Sequence, residues 1–169
     1  MKFEMTERRT FSLPISPTML STAQEKGVRI IKSKGGKMFP TFFKKKKVLE
    51  SERALEVLLL PHRPRKTIAN DGDTCVVLTL KYFFPHPSGT PKWKRGEITF
   101  MPQRPDADNL SKTVVDVMTS CGFWDDDSMV NFRFDKWRSP DPHIEVILET
   151  WKQEREIKKG AIAHGQQQQ

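Results

Sequence analysis

The chain has 169 residues, with 29 Lys or Arg against 21 Asp or Glu, a net charge of +8 and a sequence pI of about 9.6. That length suits one domain with its own core, and 11 Phe and 4 Trp supply bulk for it. Two isolated cysteines, Cys75 and Cys121, exclude a disulfide framework or a CxxC zinc site and fit a reducing cytosol; with no apolar run of spanning length and no signal-peptide core, a soluble, cytoplasmic protein is expected.

The charge is uneven. Residues 1–66 carry 16 Lys/Arg and 6 Asp/Glu, net +10, whereas residues 67–169 carry 13 and 15, net −2. A basic arm beside a near-neutral half with clustered acids points to a polyanion held by one part and acted on by the other.

In chain order, "TFSLPISPT" (Thr10–Thr18) reads as a short strand ending at Pro14 and Pro17. "VRIIKSKGGKMFPTFF" (Val28–Phe43) reads as a hairpin around Gly35-Gly36, with Lys32, Lys34 and Lys37 near its tip. The run from Lys44, Lys45, Lys46 and Lys47 onward is a predicted helix stopped by Pro61, with Leu55, Leu58 and Leu59 inward. "TCVVLTLKYFF" (Thr74–Phe84) is near-continuously β-rich and predicts a central buried strand. A basic loop carrying Lys92, Trp93, Lys94 and Arg95 follows, then a strand over Glu97–Met101.

From Asn109, apolar residues fall at Leu110, Val114, Val117, Met118 and Cys121, one face of a helix. Gly122 stands where a left-handed C-terminal cap belongs. Two further strands, "MVNFRFDKW" and "HIEVILETW", are joined by "RSPDP". The expected fold is α+β in a single mixed sheet with helices packed on one face. Residues 1–150 form one domain that includes the basic hairpin and helix; residues 151–169 form an extension whose Gln tail is expected to be disordered.

The acids are the informative part. Asp106 and Asp108, read at the end of a strand, would point to the same side. Asp108 also occupies a helix N-cap position, and four-residue steps from it reach Lys112 and Asp116 on one helical face. The chain then returns through "GFW" to Asp125-Asp126-Asp127. Carboxylates converging on one point repel unless a divalent cation neutralises them, and hard oxygen ligands suit Mg²⁺ or Mn²⁺. The plainer alternative is that each group of acids caps its own turn. In a basic protein, a cation so held has phosphodiester hydrolysis as its natural chemistry.

"DADNLSKTVVDVMTSCGFWDDDSMV" (Asp106–Val130) closely resembles the signature of the RusA-type Holliday junction resolvases, small dimeric endonucleases often encoded by phages and prophages. The specific part runs from Arg104 to Arg138, with weaker support from "LPISPT" near the start. The resemblance implies a RusA-like fold, a two-fold homodimer, four-way DNA junctions as substrate, and Mg²⁺ as cofactor with Mn²⁺ able to substitute. It casts Asp106 and Asp108 as metal-binding carboxylates, Asp127 as the third acid with Asp126 before it, and Lys112 as the catalytic lysine. A one-residue shift would exchange Asp126 and Asp127. Asn109 and Asp116 fall within the pattern, Asn109 as loop support and Asp116 as a partner of Lys112 or an exposed helix acid.

The expected phosphate contacts are Lys32, Lys34, Lys37, Lys44, Lys45, Lys46, Lys92, Lys94, Arg95 and Arg104, with Trp93 either stacking on an unpaired base or packing on the surface. Phe123 and Trp124 read as core, and the four His residues carry no ligand spacing. The competing readings are a phage nuclease for other branched DNA, a non-catalytic nucleic-acid binder with acidic turns, and a glycosyltransferase whose DxD holds Mn²⁺. The last is disfavoured by the short, basic chain without a Gly-rich phosphate loop.

Overall fold

The computed structural model describes residues 2–15, 26–103 and 106–154. Its elements are β1 (Lys2–Pro14), β2 (Lys26–Lys32), β3 (Met38–Lys44), α1 (Lys46–Leu59), β4 (Thr74–Phe84), β5 (Thr99–Phe100), α2 (Ala107–Ser120), β6 (Val130–Arg138) and β7 (His143–Glu154). Single 3₁₀ turns occupy Leu60–His62, Lys92–Lys94 and Asp127–Met129. Among the described residues no helix is long and apolar enough to cross a membrane.

Five strands form a mixed sheet in the order β1-β7-β4-β6-β5. β4 lies at its centre, as its sequence predicts, and buries Val76, Leu78, Leu80, Tyr82 and Phe84 on one face. The opposite face of β4 is only half-covered. β4 and β6 pair in parallel, and all other pairs are antiparallel. A parallel neighbour needs a crossover, and α2 supplies it. β6 and β7 are consecutive in sequence but flank β4, so the link between them passes the end of that strand, where the Ser139 amide donates to Phe84 O at 2.8 Å.

Both helices contribute to the core that covers the buried face of β4. Leu55 and Leu59 of α1 and Leu110, Val114, Val117 and Met118 of α2 join Leu13, Ile144, Val146 and Leu148. Burying each such side chain contributes about 1.5–3 kcal/mol before entropy is counted. α1 stops at Leu59, and Pro61 falls in the 3₁₀ turn that follows, because proline cannot donate to a continuing helix.

Three expectations change. β1 extends over thirteen residues rather than beginning at Thr10, because it pairs with β7 from Lys2↔Glu154 to Pro14↔His143. Its charged first half alternates only at Phe3 and Met5, both exposed, and runs on through Glu7, Arg8 and Arg9, so pairing with the long partner strand is what makes it a strand; Pro17 lies outside the described residues. β5 shrinks to Thr99–Phe100. The sheet is not single: β2 and β3 form a separate two-stranded ribbon. The ribbon turns over Ser33–Lys37, with Gly36 alone of the glycine pair at positive φ.

Candidate active site

The site is built around α2. Its N-cap is Asp106 in extended backbone, with Ala107 as the first helical residue. Asp108 is therefore in the first turn, not at the end of a strand, and the two-residue period that would aim both carboxylates to one side does not apply. Asp106 makes no side-chain capping bond. An Asp at this position ordinarily accepts from an amide of the first turn, so the plain capping reading fails for Asp106 and its exposed carboxylate remains available.

Lys112 and Asp116 follow Asp108 at helical steps of four and share its face. The far end of α2 closes in a Schellman arrangement: Gly122 N donates to Thr119 O at 2.9 Å and Phe123 N to Met118 O at 3.1 Å. Gly122 adopts φ +75°, as its sequence position predicts. Phe123 and Trp124 then enter the core, where Trp124 Nε1 donates to Thr119 Oγ1 at 2.7 Å.

The three consecutive acids have three different surroundings. Asp125 Oδ2 accepts from the Asn70 amide at 3.1 Å. Asp126 Oδ1 accepts from the Ser128 amide at 2.7 Å, capping the short turn Asp127–Met129. Hydrogen bonding from Ser128 holds the Asp126 carboxyl below the usual carboxylate range. Asp127 faces a cleft.

That cleft, of about 400 Å³, is lined by Asp108, Asn109, Lys112, Val115, Asp116, Asp127, Val130 and Phe132. It brings together two of the predicted metal ligands, Asp108 and Asp127, with the predicted catalytic lysine. Asp106 and Asp126 do not line it. Burial pushes the Asp116 carboxyl above the ordinary range; the charge of Lys112 opposes this and that of Asp127 adds to it. Asp116 is thus a half-buried acid that feels both Lys112 and Asp127, and the reading of it as an exposed helix acid is set aside. Asp108 and Asp116 are eight residues apart, about 12 Å along the helix axis, so the cleft's acids are strung along α2.

Among the described residues no three His, Cys, Asp or Glu side chains gather into a ready-made metal cage. The expected convergence of Asp106, Asp108, Asp126 and Asp127 on one point is not what the structure displays, because Asp106 begins a helix and Asp126 is held by Ser128. Mg²⁺, however, keeps several waters and is commonly held by one or two carboxylates together with substrate phosphate. The hard oxygens of Asp108 and Asp127 in one cleft fit that donor set.

Two segments had no signal in the sequence. Residues 67–70 brace the end of α2: Thr67 Oγ1 donates to Gly122 O at 3.0 Å, Ile68 N to Phe123 O at 3.0 Å, and Asp125 N to Ile68 O at 3.1 Å. Val130 and Phe132, read only as strand residues, line the cleft.

The predicted phosphate contacts fall in three places. Lys32, Lys34 and Lys37 lie on the exposed ribbon. Lys44 pairs with Glu52 at 2.7 Å and Lys46 with Glu50 at 3.6 Å, while Lys45 is the N-cap of α1. Lys92 and Lys94 flank Trp93, which is 74% exposed rather than packed on the surface. Arg95 instead holds its own loop through the carbonyls of Thr90, at 2.7 Å, and Ser88. Arg104 lies outside the described residues.

Residues 21–149 match the family model described as endodeoxyribonuclease RusA, a match over more than half of the chain that contains every residue of the cleft. The chain belongs to the RusA family. Membership places it among nuclease hydrolases acting on DNA. A search of curated proteins finds no match. The α+β architecture, with a mixed five-stranded sheet and two helices, is consistent with the RusA fold.

Proposed function

We propose that the chain is a structure-selective endodeoxyribonuclease that resolves four-way DNA junctions by Mg²⁺-dependent phosphodiester hydrolysis in recombination and repair. The observation that carries this reading is the shared cleft of Asp108, Lys112 and Asp127 in a RusA-family chain of net charge +8. Asp108 and Asp127 would hold the cation, and Asp106 stands two residues before Asp108 as the N-cap of α2. A cation held there would supply charge neutralisation at the scissile phosphate and activation of the attacking water. Lys112, one turn along from Asp108, donates to phosphate oxygens and stabilises the charge that grows on them. Asp126, occupied with Ser128, serves the shape of the turn rather than the cation.

Lys32, Lys34, Lys37, Lys92 and Lys94 contact phosphates, and Trp93 stacks on an unpaired base. Two nicks in opposing strands of a nearly two-fold junction call for two sites, so the working form is a homodimer with two-fold symmetry. The uncovered aromatics of β6, Phe132 at 47% and Phe134 at 39% exposure, offer the apolar strand surface for its interface. The protein acts in the cytoplasm, where the DNA is.

The test is cleavage in Mg²⁺ of a synthetic four-way junction beside linear duplex. Paired nicks in the junction alone support the reading. Cutting of both marks a general nuclease, and binding without cutting marks a binder. Asp108→Asn should abolish cutting and leave junction binding intact or stronger; cutting at the parent rate would remove Asp108 from the site.

A further inference from the structure

The β2–β3 ribbon is a separate two-stranded sheet that carries exposed apolar residues on both faces, with Lys32 and Lys44 among them on one and Arg29 and Thr41 on the other. Cross-strand register puts Val28, Ile30, Met38, Pro40 and Phe42 on one face and Ile31, Phe39 and Phe43 on the other. Every residue of β3 is exposed, with Met38, Ile30 and Phe42 between 64% and 70%. A free two-stranded hairpin is at best marginally stable in water, and contiguous exposed apolar surface marks a docking site. Phe43 already has a task within the ribbon, since its ring lies where a side chain on Gly27 would be. Phe39 and Phe42 have none.

A blade with two apolar faces does not fit a single flat surface; it fits a gap with a wall on each side. Charge selects the walls. Residues 26–44 contain six Lys or Arg and no acid, and only Lys44, at the root, is tied to a carboxylate of α1 among the described residues. A second copy of this chain would bring another +10 N-terminal half to the same place. Branched DNA offers phosphates along the edges of an opening and unpaired base faces within it. Apolar side chains wedge between base steps in this way, and rings stack on bases without regard to sequence.

We propose that the ribbon is a wedge that enters the branch point of the DNA, with Phe39 and Phe42 stacking on bases on its two sides and Lys32, Lys34 and Lys37 gripping the surrounding phosphates. The inference rests on the branched-DNA reading above, and it assigns the recognition of branching to the ribbon rather than to the cleft.

The experiment measures binding by the full chain in EDTA, where nothing is cut, so it is independent of the cleavage assay. The probes are a synthetic four-way junction with 5-iodouracil at its centre and a linear duplex of the same arm sequence. Phe39→Ala/Phe42→Ala should lose roughly tenfold or more in junction affinity for each stack removed, keep its duplex affinity within about twofold, and lose the photocrosslink. Phe39→Tyr/Phe42→Tyr, which keeps the rings, should retain all three. Equal losses on both DNAs, no loss on either, or a crosslink that persists would overturn the wedge. So would a parent dimer that the Ala variant converts to monomer in sedimentation, which would make the ribbon a subunit arm. A lowered melting temperature would also refute it, by showing that the ribbon packs on the core. Loss of cutting by Asp108→Asn in the other assay bears on the cleft alone and leaves this result standing.

Discussion

Gly122 joins the helix that carries Asp108 and Lys112 to the turn that carries Asp127, and replacing it with alanine tests that joint. At φ +75° an L side chain is in the left-handed region, which costs roughly 1–2 kcal/mol. A Cβ there would lie 3.2 Å from Arg63 Nη2. Because that contact is the far end of a flexible side chain, it can give by a few tenths of an ångström and does not decide the sign. Stiffening of the unfolded chain returns part of the loss, about 0.4–1 kcal/mol. The net expectation for Gly122→Ala is a destabilisation of about 1 kcal/mol, which in a chain of this size lowers the melting temperature by about 2–4 °C.

The assay is urea unfolding followed by tryptophan fluorescence, for which Trp124, buried two residues away, is a local reporter. Gly122→Asn should lose less, because Asn tolerates the left-handed region. Gly96→Ala is the control: its backbone is not left-handed and a Cβ there meets nothing within 4 Å. A Gly122→Ala protein as stable as the parent would refute the capped geometry, and with it the account of how Asp127 is placed relative to α2.

Asp126→Ala should destabilise the turn while the protein still cuts DNA; Asp127→Asn should leave the urea midpoint unchanged and stop cutting, and the reverse pattern would exchange their roles. Asp71 is held well below the usual carboxylate range by hydrogen bonding from Thr74, then from the Asp73 amide, with Lys152 adding at 3.3 Å. A depressed folded-state pKa contributes stability that is fully present above the unfolded value near ~4 and is lost as pH falls toward the folded one. The difference in urea midpoint between parent and Asp71→Asn should therefore be largest at neutral pH and shrink below about pH 4; a pH-independent difference would contradict the linkage. Replacing Lys32, Lys34 and Lys37 together by Ala should flatten the dependence of log K on log salt by up to about 2.7, at ~0.9 per phosphate contact. An unchanged slope would take those lysines off the DNA.

Elements held by local pattern were legible in the sequence. The helical spacing from Leu110 to Cys121 together with Gly122 gave α2 and its cap, and the β-rich run from Thr74 gave the central strand. Pairing between distant segments was not. The first half of β1 is a strand because β7 is long enough to pair with it, and β6 and β7 are separated by β4 although one short link joins them. The DxD geometry departs from the strand-end expectation because an Asp preceding a helix and an Asp ending a strand look alike until the first helical residue is known. That residue is Ala107, one place before the second carboxylate.

The triple acid shows why site residues are harder to read than elements. Asp125, Asp126 and Asp127 are chemically identical, and what separates them is which amide each meets. Asp125 meets one from Asn70, fifty-five residues away. Asp126 meets one two residues on, at Ser128. Asp127 is the one that faces the cleft with Lys112. Segment 67–70 is bonded to the backbone and side chains of residues 122–125 from one side, while the Schellman bonds hold Gly122 and Phe123 to α2 from the other. Between these two sets of bonds the turn has little freedom, so the separation of Asp108 from Asp127 is set by backbone hydrogen bonds rather than by attraction to a cation. A cleft fixed in that way takes its shape from the chain's own hydrogen bonds, and the acids that brace it are distinct from those that face it.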